Sequence, residues 1–178
     1  GYIVLAVDLF LGNIADGPAA ARNLEIGIVE NPRQAADNLD QAIEFIRVSS
    51  GAPSVAIVGF GFGGNWAFNT ALENPESLSA AVSYYGQVRT RDEDLTNLNV
   101  PFLGFFLQSD RAVPIKTARE FQEKTSALEK DVDVQIVDEG RRGFIERSSQ
   151  EYNEAAANDA WRHMLGFLHS RLNQAAGE

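Results

Sequence analysis

Val55-Ala56-Ile57-Val58-Gly59-Phe60-Gly61-Phe62-Gly63-Gly64 is the stretch that decides the fold. Four apolar residues in a row, followed by four glycines within six positions, read as a strand buried on both faces that ends in a very tight turn. Behind the turn, Trp66, Ala67, Phe68, Ala71 and Leu72 recur at helical spacing until Asn74-Pro75 closes the segment. Strand, glycine turn and helix in that order form the unit from which parallel α/β sheets are built.

The same alternation extends in both directions. Upstream, Asn31-Pro32 offers an N-cap and a first-turn proline; Leu39, Ala42, Ile43 and Ile46 give the following helix one apolar face, and Ser49-Ser50-Gly51 ends it. The stretch between Phe10 and Asn31, rich in glycine and alanine, reads as a loop. The chain opens on Gly1-Tyr2-Ile3-Val4-Leu5-Ala6-Val7-Asp8-Leu9-Phe10, an apolar run expected to be a strand buried on both faces. Buried strands seldom begin a chain, so sequence upstream of Gly1 is expected.

Downstream, Ala80 to Tyr85 and Phe102 to Leu107 are further strands, the second delivering Gln108-Ser109-Asp110. Val113-Pro114 introduces a helix carrying Ile115, Ala118, Phe121 and Leu128. Asp133 to Val137 is a shorter strand nearer an edge, and a last helix runs through Trp161, Met164, Leu165 and Leu168. The expectation is a single α/β domain over residues 1–178: a mostly parallel sheet of about five strands flanked by helices.

The chain has 178 residues, 44% hydrophobic and 22% charged, an ordinary globular composition with enough apolar material for one substantial core. No run approaches the roughly 18 apolar residues of a membrane span. A net charge of -10 without a stripe of Lys and Arg argues against nucleic acid and anionic membrane as partners. The absence of cysteine excludes disulfides, thiolate metal sites and a thiol nucleophile. No cofactor and no metal is expected, and a cytoplasmic setting is the default.

Glycines at a strand-to-helix turn admit two readings. A dinucleotide fingerprint also wants them, but G-x-G-x-G-G fits its spacing imperfectly, and the next strand closes in Tyr84-Tyr85-Gly86 without an acidic residue for a ribose. The sharp turn G-x-nucleophile-x-G matches the flanks better, although its central residue is Gly61.

Taken together, Asp8-Leu9 after the opening run, Val58-Gly59-Phe60-x-Phe62-Gly63-Gly64, Tyr84-Tyr85-Gly86, Ser109-Asp110-Arg111-x-Val113-Pro114, Gly143-Phe144 and the Tyr152 to Phe167 tail resemble the dienelactone hydrolases. The resemblance covers the whole chain and implies an α/β-hydrolase fold with a Cys-His-Asp triad that opens lactones or small esters. By position the cysteine falls on Gly61, the aspartate on Asp110 and the histidine on Arg142. Glycine has no group to attack a carbonyl, and an arginine stays protonated, so it accepts no proton.

His163 and His169, the only histidines, lie in the last helix six residues apart, on different faces, and are expected at its surface. Asp110 reads equally as a turn residue ahead of a helix. Ser83 and Ser109 have no base nearby in sequence. The Phe62 amide is the candidate oxyanion donor, and the partner donor in this fold comes from a segment upstream of Gly1.

The likeness begins at what would be the family's fourth strand, so the family's first strands are expected to be missing, and a homodimer or partner chain is expected to complete the sheet. The expected function is a hydrolase-like protein without the family's chemistry. Tyr85, Arg141 and Arg142 are its candidate ligand contacts, for a small carboxylate. The bland reading has both arginines simply solvated. The alternative is an active ester or lactone hydrolase with a non-standard or externally completed site.

Overall fold

A computed structural model of the chain describes residues 1–173. These residues divide into two compact units, Gly1–Pro53 and the stretch from Ser54 onward.

In the first unit, α1 (Pro18–Glu30) and α2 (Pro32–Ser50) follow one another through the single residue Asn31. Proline in the first turn suits both helices, since its missing N–H would find no partner there, and Gly51 closes α2 in the left-handed conformation at φ 64°. The helix α1 corrects the expectation of a loop. Pro18 starts it and Ala19, Ala20 and Ala21, the strongest helix formers, extend it.

The opening run is also corrected, because residues 1–8 form no strand and Tyr2, Ile3, Val4 and Leu5 are exposed. An apolar run supplies side chains for a strand but not the neighbouring ladder that satisfies its backbone. The run ends in a side-chain-closed turn instead: the Asp8 carboxylate accepts the amides of Phe10 at 2.8 Å and Gly12 at 2.6 Å.

The second unit holds β1 (Ala56–Phe60), α3 (Phe62–Glu73), β2 (Ala80–Tyr84), α4 (Asp92–Thr96), β3 (Phe102–Leu107), α5 (Ile115–Ala127), β4 (Val132–Val137) and α6 (Glu154–Leu172). The sheet is parallel in the order β1-β2-β3-β4, so it has four strands among the described residues rather than about five. The missing fifth is the opening run.

The two faces of the sheet are visible in β3. Phe102 and Phe106 meet the helices on one side, where Phe68 of α3 and Phe121 of α5 form edge-to-face pairs with Phe102 at 5.4 and 5.8 Å. Leu103, Phe105 and Leu107 face the other way, into a core closed by Ala157, Ala160, Met164 and Leu168 of α6. There the Tyr84 ring stacks between Phe60 and Phe105 at 4.8 and 4.4 Å. Both faces are covered, which is why β3 reads as an unbroken apolar run.

The outer strands differ. All six residues of β4 are half-buried, as expected of an edge. On β1, the other edge, Val58 and Phe60 keep 37% and 41% of their surface exposed. Polar contacts fasten α6 to β4 and the residue before it: His163 Nε2 lies 2.7 Å from Asp133 Oδ2, and Arg171 Nη2 pairs with Asp131 Oδ1 at 2.8 Å. Both histidines sit at the exposed surface of α6. No helix among the described residues is long and apolar enough to cross a membrane.

Candidate functional site

Parallel strands release their chains at one end of a sheet, and that end is where ligands bind in open α/β folds. Here β1 releases Gly61, β2 releases Tyr85, β3 leads through two residues to Asp110, and β4 leads through four to Arg142.

Gly61 sits at φ 54°, ψ -113°, outside the regions open to L-residues at low cost. Its N–H donates to the Tyr84 carbonyl at 2.9 Å, which locks the turn to the neighbouring strand. The first flanking glycine is there for close approach, since a Cβ on Gly59 would come 2.0 Å from the Gly63 carbonyl oxygen. Gly61 is different. The nearest atoms to a Cβ built on it are Tyr85 Cε2 at 3.6 Å and Arg142 Nη1 and Tyr85 Cδ2 at 3.9 Å, ordinary contact distances. The turn therefore combines a strained backbone with room for a Cβ, while carrying none.

Arg142 is held from three sides. Its Nε donates to Asp110 Oδ1 at 3.1 Å. Nη2 lies 3.0 Å from Asp110 Oδ2 as an ion-pair contact and directs its hydrogen bond to the Tyr85 carbonyl oxygen at 2.9 Å. The guanidinium carbon lies 5.5 Å from the centre of the Tyr85 ring, within cation–π range. The remaining nitrogen, Nη1, lies 3.9 Å from where a Cβ on Gly61 would stand.

Asp110 and Tyr85 are built for this hold. The Asp110 side chain is only 3% exposed, against 39% for that of Arg142, so the carboxylate depends on its partners more than the guanidinium does. Oδ1 also accepts the Ala112 amide at 2.8 Å, so the turn role and the pairing role coexist. Tyr85 is buried and held at φ 43°, a conformation rare for residues other than glycine, and its N–H donates to the Phe105 carbonyl at 2.7 Å. Burial keeps the Tyr85 phenol above its ordinary pKa; Glu146 adds to the shift, and Arg142 partly offsets it.

The fold thus brings Gly61, Tyr85, Asp110 and Arg142 together. Phe62 is the first residue of α3, beside Gly61. Arg141 turns away, with a side chain 73% exposed and Nε 3.7 Å from Glu151 Oε2. Ser83 donates to the Gly64 carbonyl at 3.1 Å inside the sheet–helix contact, and Ser109 is exposed. Sequence reading missed the Tyr85 carbonyl as an anchor, since a main-chain group leaves no trace in residue identity. It also missed an open cleft of about 460 Å³ on the α6 side, walled by Phe60, Tyr152 and Trp161.

Chemically, this arrangement contains a fixed cation and hydrogen-bond donors, but no nucleophile at position 61 and no proton acceptor at position 142. It suits an acceptor oxygen better than a proton transfer.

The model of the dienelactone hydrolase family matches residues 1–172. Among known proteins, "Protein usf" of Aquifex pyrophilus is 25% identical over 176 residues, covering 97% of this chain and 76% of that protein. Other relatives are matched over about two thirds of their length, 66% in a Salmonella typhi protein. Among solved structures, the dienelactone hydrolase-like promiscuous phosphotriesterase P91 from metagenomic libraries superposes with a TM-score of 0.72 at 17% identity, over 86% of this chain and 68% of that one. The dienelactone hydrolase of Anabaena variabilis gives 0.62 at 16% identity, over 85% and 68%. At these identities the structural likeness speaks for the fold, which is that of the α/β-hydrolases. The match over residues 1–172, on top of that fold, means that the chain belongs to the dienelactone hydrolase family.

Proposed function

We propose that this chain is a family member that does not carry out ester or lactone hydrolysis and instead holds a small acidic ligand above Gly61. The observation that supports this best is the position of Arg142 Nη1, 3.9 Å from the point where a side chain on Gly61 would begin. An arginine fixed there cannot act as a general base at any physiological pH. It is well suited to donate to a carboxylate oxygen. The N-terminus of α3 adds the positive end of a helix dipole.

Calorimetric titration with acetate and benzoate, repeated on Arg142→Ala, tests the reading. Saturable binding by the unaltered chain that disappears in the variant supports it. Identical binding in both, or none in either, removes the site.

A second reading keeps an active hydrolase of small esters or lactones, completed by another segment or a partner chain. The buried Asp110 carboxylate, which the resemblance assigns to the family's acid position, supports it, as does the length of the relatives beyond the matched region. It requires hydrolysis of an activated ester that falls on Asp110→Asn substitution.

A further inference from the structure

We infer that Asp110 sets the charge preference of the Gly61–Arg142 site, so that it accepts a singly charged carboxylate and rejects a doubly charged anion such as phosphate. This rests on the proposed binding of an acidic ligand above Gly61 and specifies its class.

An isolated arginine beside a helix N-terminus would attract anions more strongly the higher their charge. The arginine here is not isolated. Its guanidinium contacts both carboxylate oxygens of Asp110, at 3.1 and 3.0 Å, and that carboxylate is 97% removed from solvent, where its charge is poorly screened. The pair is close to neutral as a unit. An anion at Nη1 therefore meets a directed N–H donor, but it also meets the field of a buried negative charge held at the Nε–Nη2 edge of the same guanidinium. The guanidinium's attraction and the carboxylate's repulsion both double for a dianion and still largely offset each other, whereas the cost of stripping water from the anion rises about as the square of its charge and the number of N–H donors at Nη1 does not grow.

Geometry points the same way. Nε and Nη2 are committed to Asp110 and the Tyr85 carbonyl, which leaves one nitrogen rather than a two-nitrogen fork for the ligand. A bidentate fork is what makes arginine a strong phosphate binder, and it is spent here on the protein's own groups. The ring of Tyr85, 3.6 Å from the added Cβ position of Gly61, closes one side.

Asp110 is thus a specificity-determining residue acting through Arg142. Two effects of removing its charge oppose each other. Loss of the anchor loosens Arg142 and weakens every anion alike, whereas loss of the negative charge helps anions, dianions most. The ratio of two affinities cancels the first effect and isolates the second.

The test is calorimetry or ligand-detected NMR on the full chain with acetate and with inorganic phosphate at pH 8, where phosphate is mostly dianionic, at constant ionic strength. The unaltered chain is expected to bind acetate at least tenfold more tightly than phosphate. Asp110→Asn is expected to shift the acetate-to-phosphate ratio toward phosphate by tenfold or more, with the fold checked by circular dichroism. If that variant does not fold, Asp110→Ser serves, and the preference of the unaltered chain stands as a test by itself. Tighter phosphate than acetate binding in the unaltered chain overturns the inference, as does a ratio unchanged by the substitution. Acetate bound without selectivity leaves the acidic-ligand reading standing and sinks this one. Absence of acetate binding in the unaltered chain, with phosphate gained on Asp110→Asn, sinks that reading and supports the role of Asp110. No binding of either anion by either protein overturns both.

Discussion

Replacing Arg142 with alanine is expected to destabilise the chain through a residue the substitution does not touch. The Asp110 carboxylate, 3% exposed, would lose the Nε hydrogen bond at 3.1 Å and the Nη2 contact at 3.0 Å, keeping only the Ala112 amide at 2.8 Å. Breaking a fully buried pair by removing one partner costs about 3–5 kcal/mol, and the 39% exposure of Arg142 lets water replace part of what is lost, so about 2–3 kcal/mol is expected. For a chain of this length that corresponds to a fall of roughly 5–10 °C in the thermal midpoint. Asp110→Asn should cost less, about 1 kcal/mol, because the half-exposed guanidinium keeps its bond to the Tyr85 carbonyl and an amide oxygen still accepts from Nε. The double variant should recover part of the Arg142→Ala loss, since no buried charge is then stranded. Thermal unfolding followed by circular dichroism on the three variants measures all of this. An Arg142→Ala midpoint within 1 °C of the unaltered chain would mean that Asp110 is solvated in solution, and the argument from burial would fail.

Three further outcomes follow from the same structure. Gly59→Ala should destabilise by about 3 kcal/mol or more because its Cβ would overlap the Gly63 carbonyl, whereas Gly61→Ala should cost only about 1–2 kcal/mol of backbone strain; denaturant midpoints that rank them the other way refute the turn geometry. Burial holds the Tyr84 and Tyr85 phenols above the ordinary value near 10, so the stability gained by keeping them neutral is complete below that pH and lost as pH rises through their raised values. Ultraviolet titration should then show their ionisation only together with unfolding; complete tyrosine ionisation of a folded chain by pH 11 would contradict it. The exposed Val58 and Phe60 on edge strand β1 lead to self-association of the chain expressed alone, and a compact monomer by light scattering at micromolar concentration would count against it.

What could be read from sequence was what local patterning controls. The Gly59–Gly64 turn, the β3 run from Phe102 to Leu107 and the proline-led helices α2 and α5 all carry their signals within a few residues. Ile3 to Phe10 carried an equally strong apolar signal and formed no strand, because pairing is a property of two segments and only one was in view. The site divided in the same way. Resemblance placed Gly61, Asp110 and Arg142 at one centre, but Asp110 and Arg142 are 32 residues apart, and nothing local announces that one nitrogen of Arg142 stays turned toward Gly61 while the other two are occupied. Arg141 and Arg142 looked equivalent in sequence. The backbone after β4 sends one to Glu151 and the other to Asp110.

The central claim is that the centre formed by Gly61 and Arg142 binds rather than hydrolyses, and the most direct measurement is the initial rate of p-nitrophenyl acetate hydrolysis by the purified chain, set beside Asp110→Asn and a buffer blank. The predicted result is a rate indistinguishable from the blank for both proteins. A rate well above the blank that falls on Asp110→Asn substitution would contradict the account and restore Asp110 to a catalytic role.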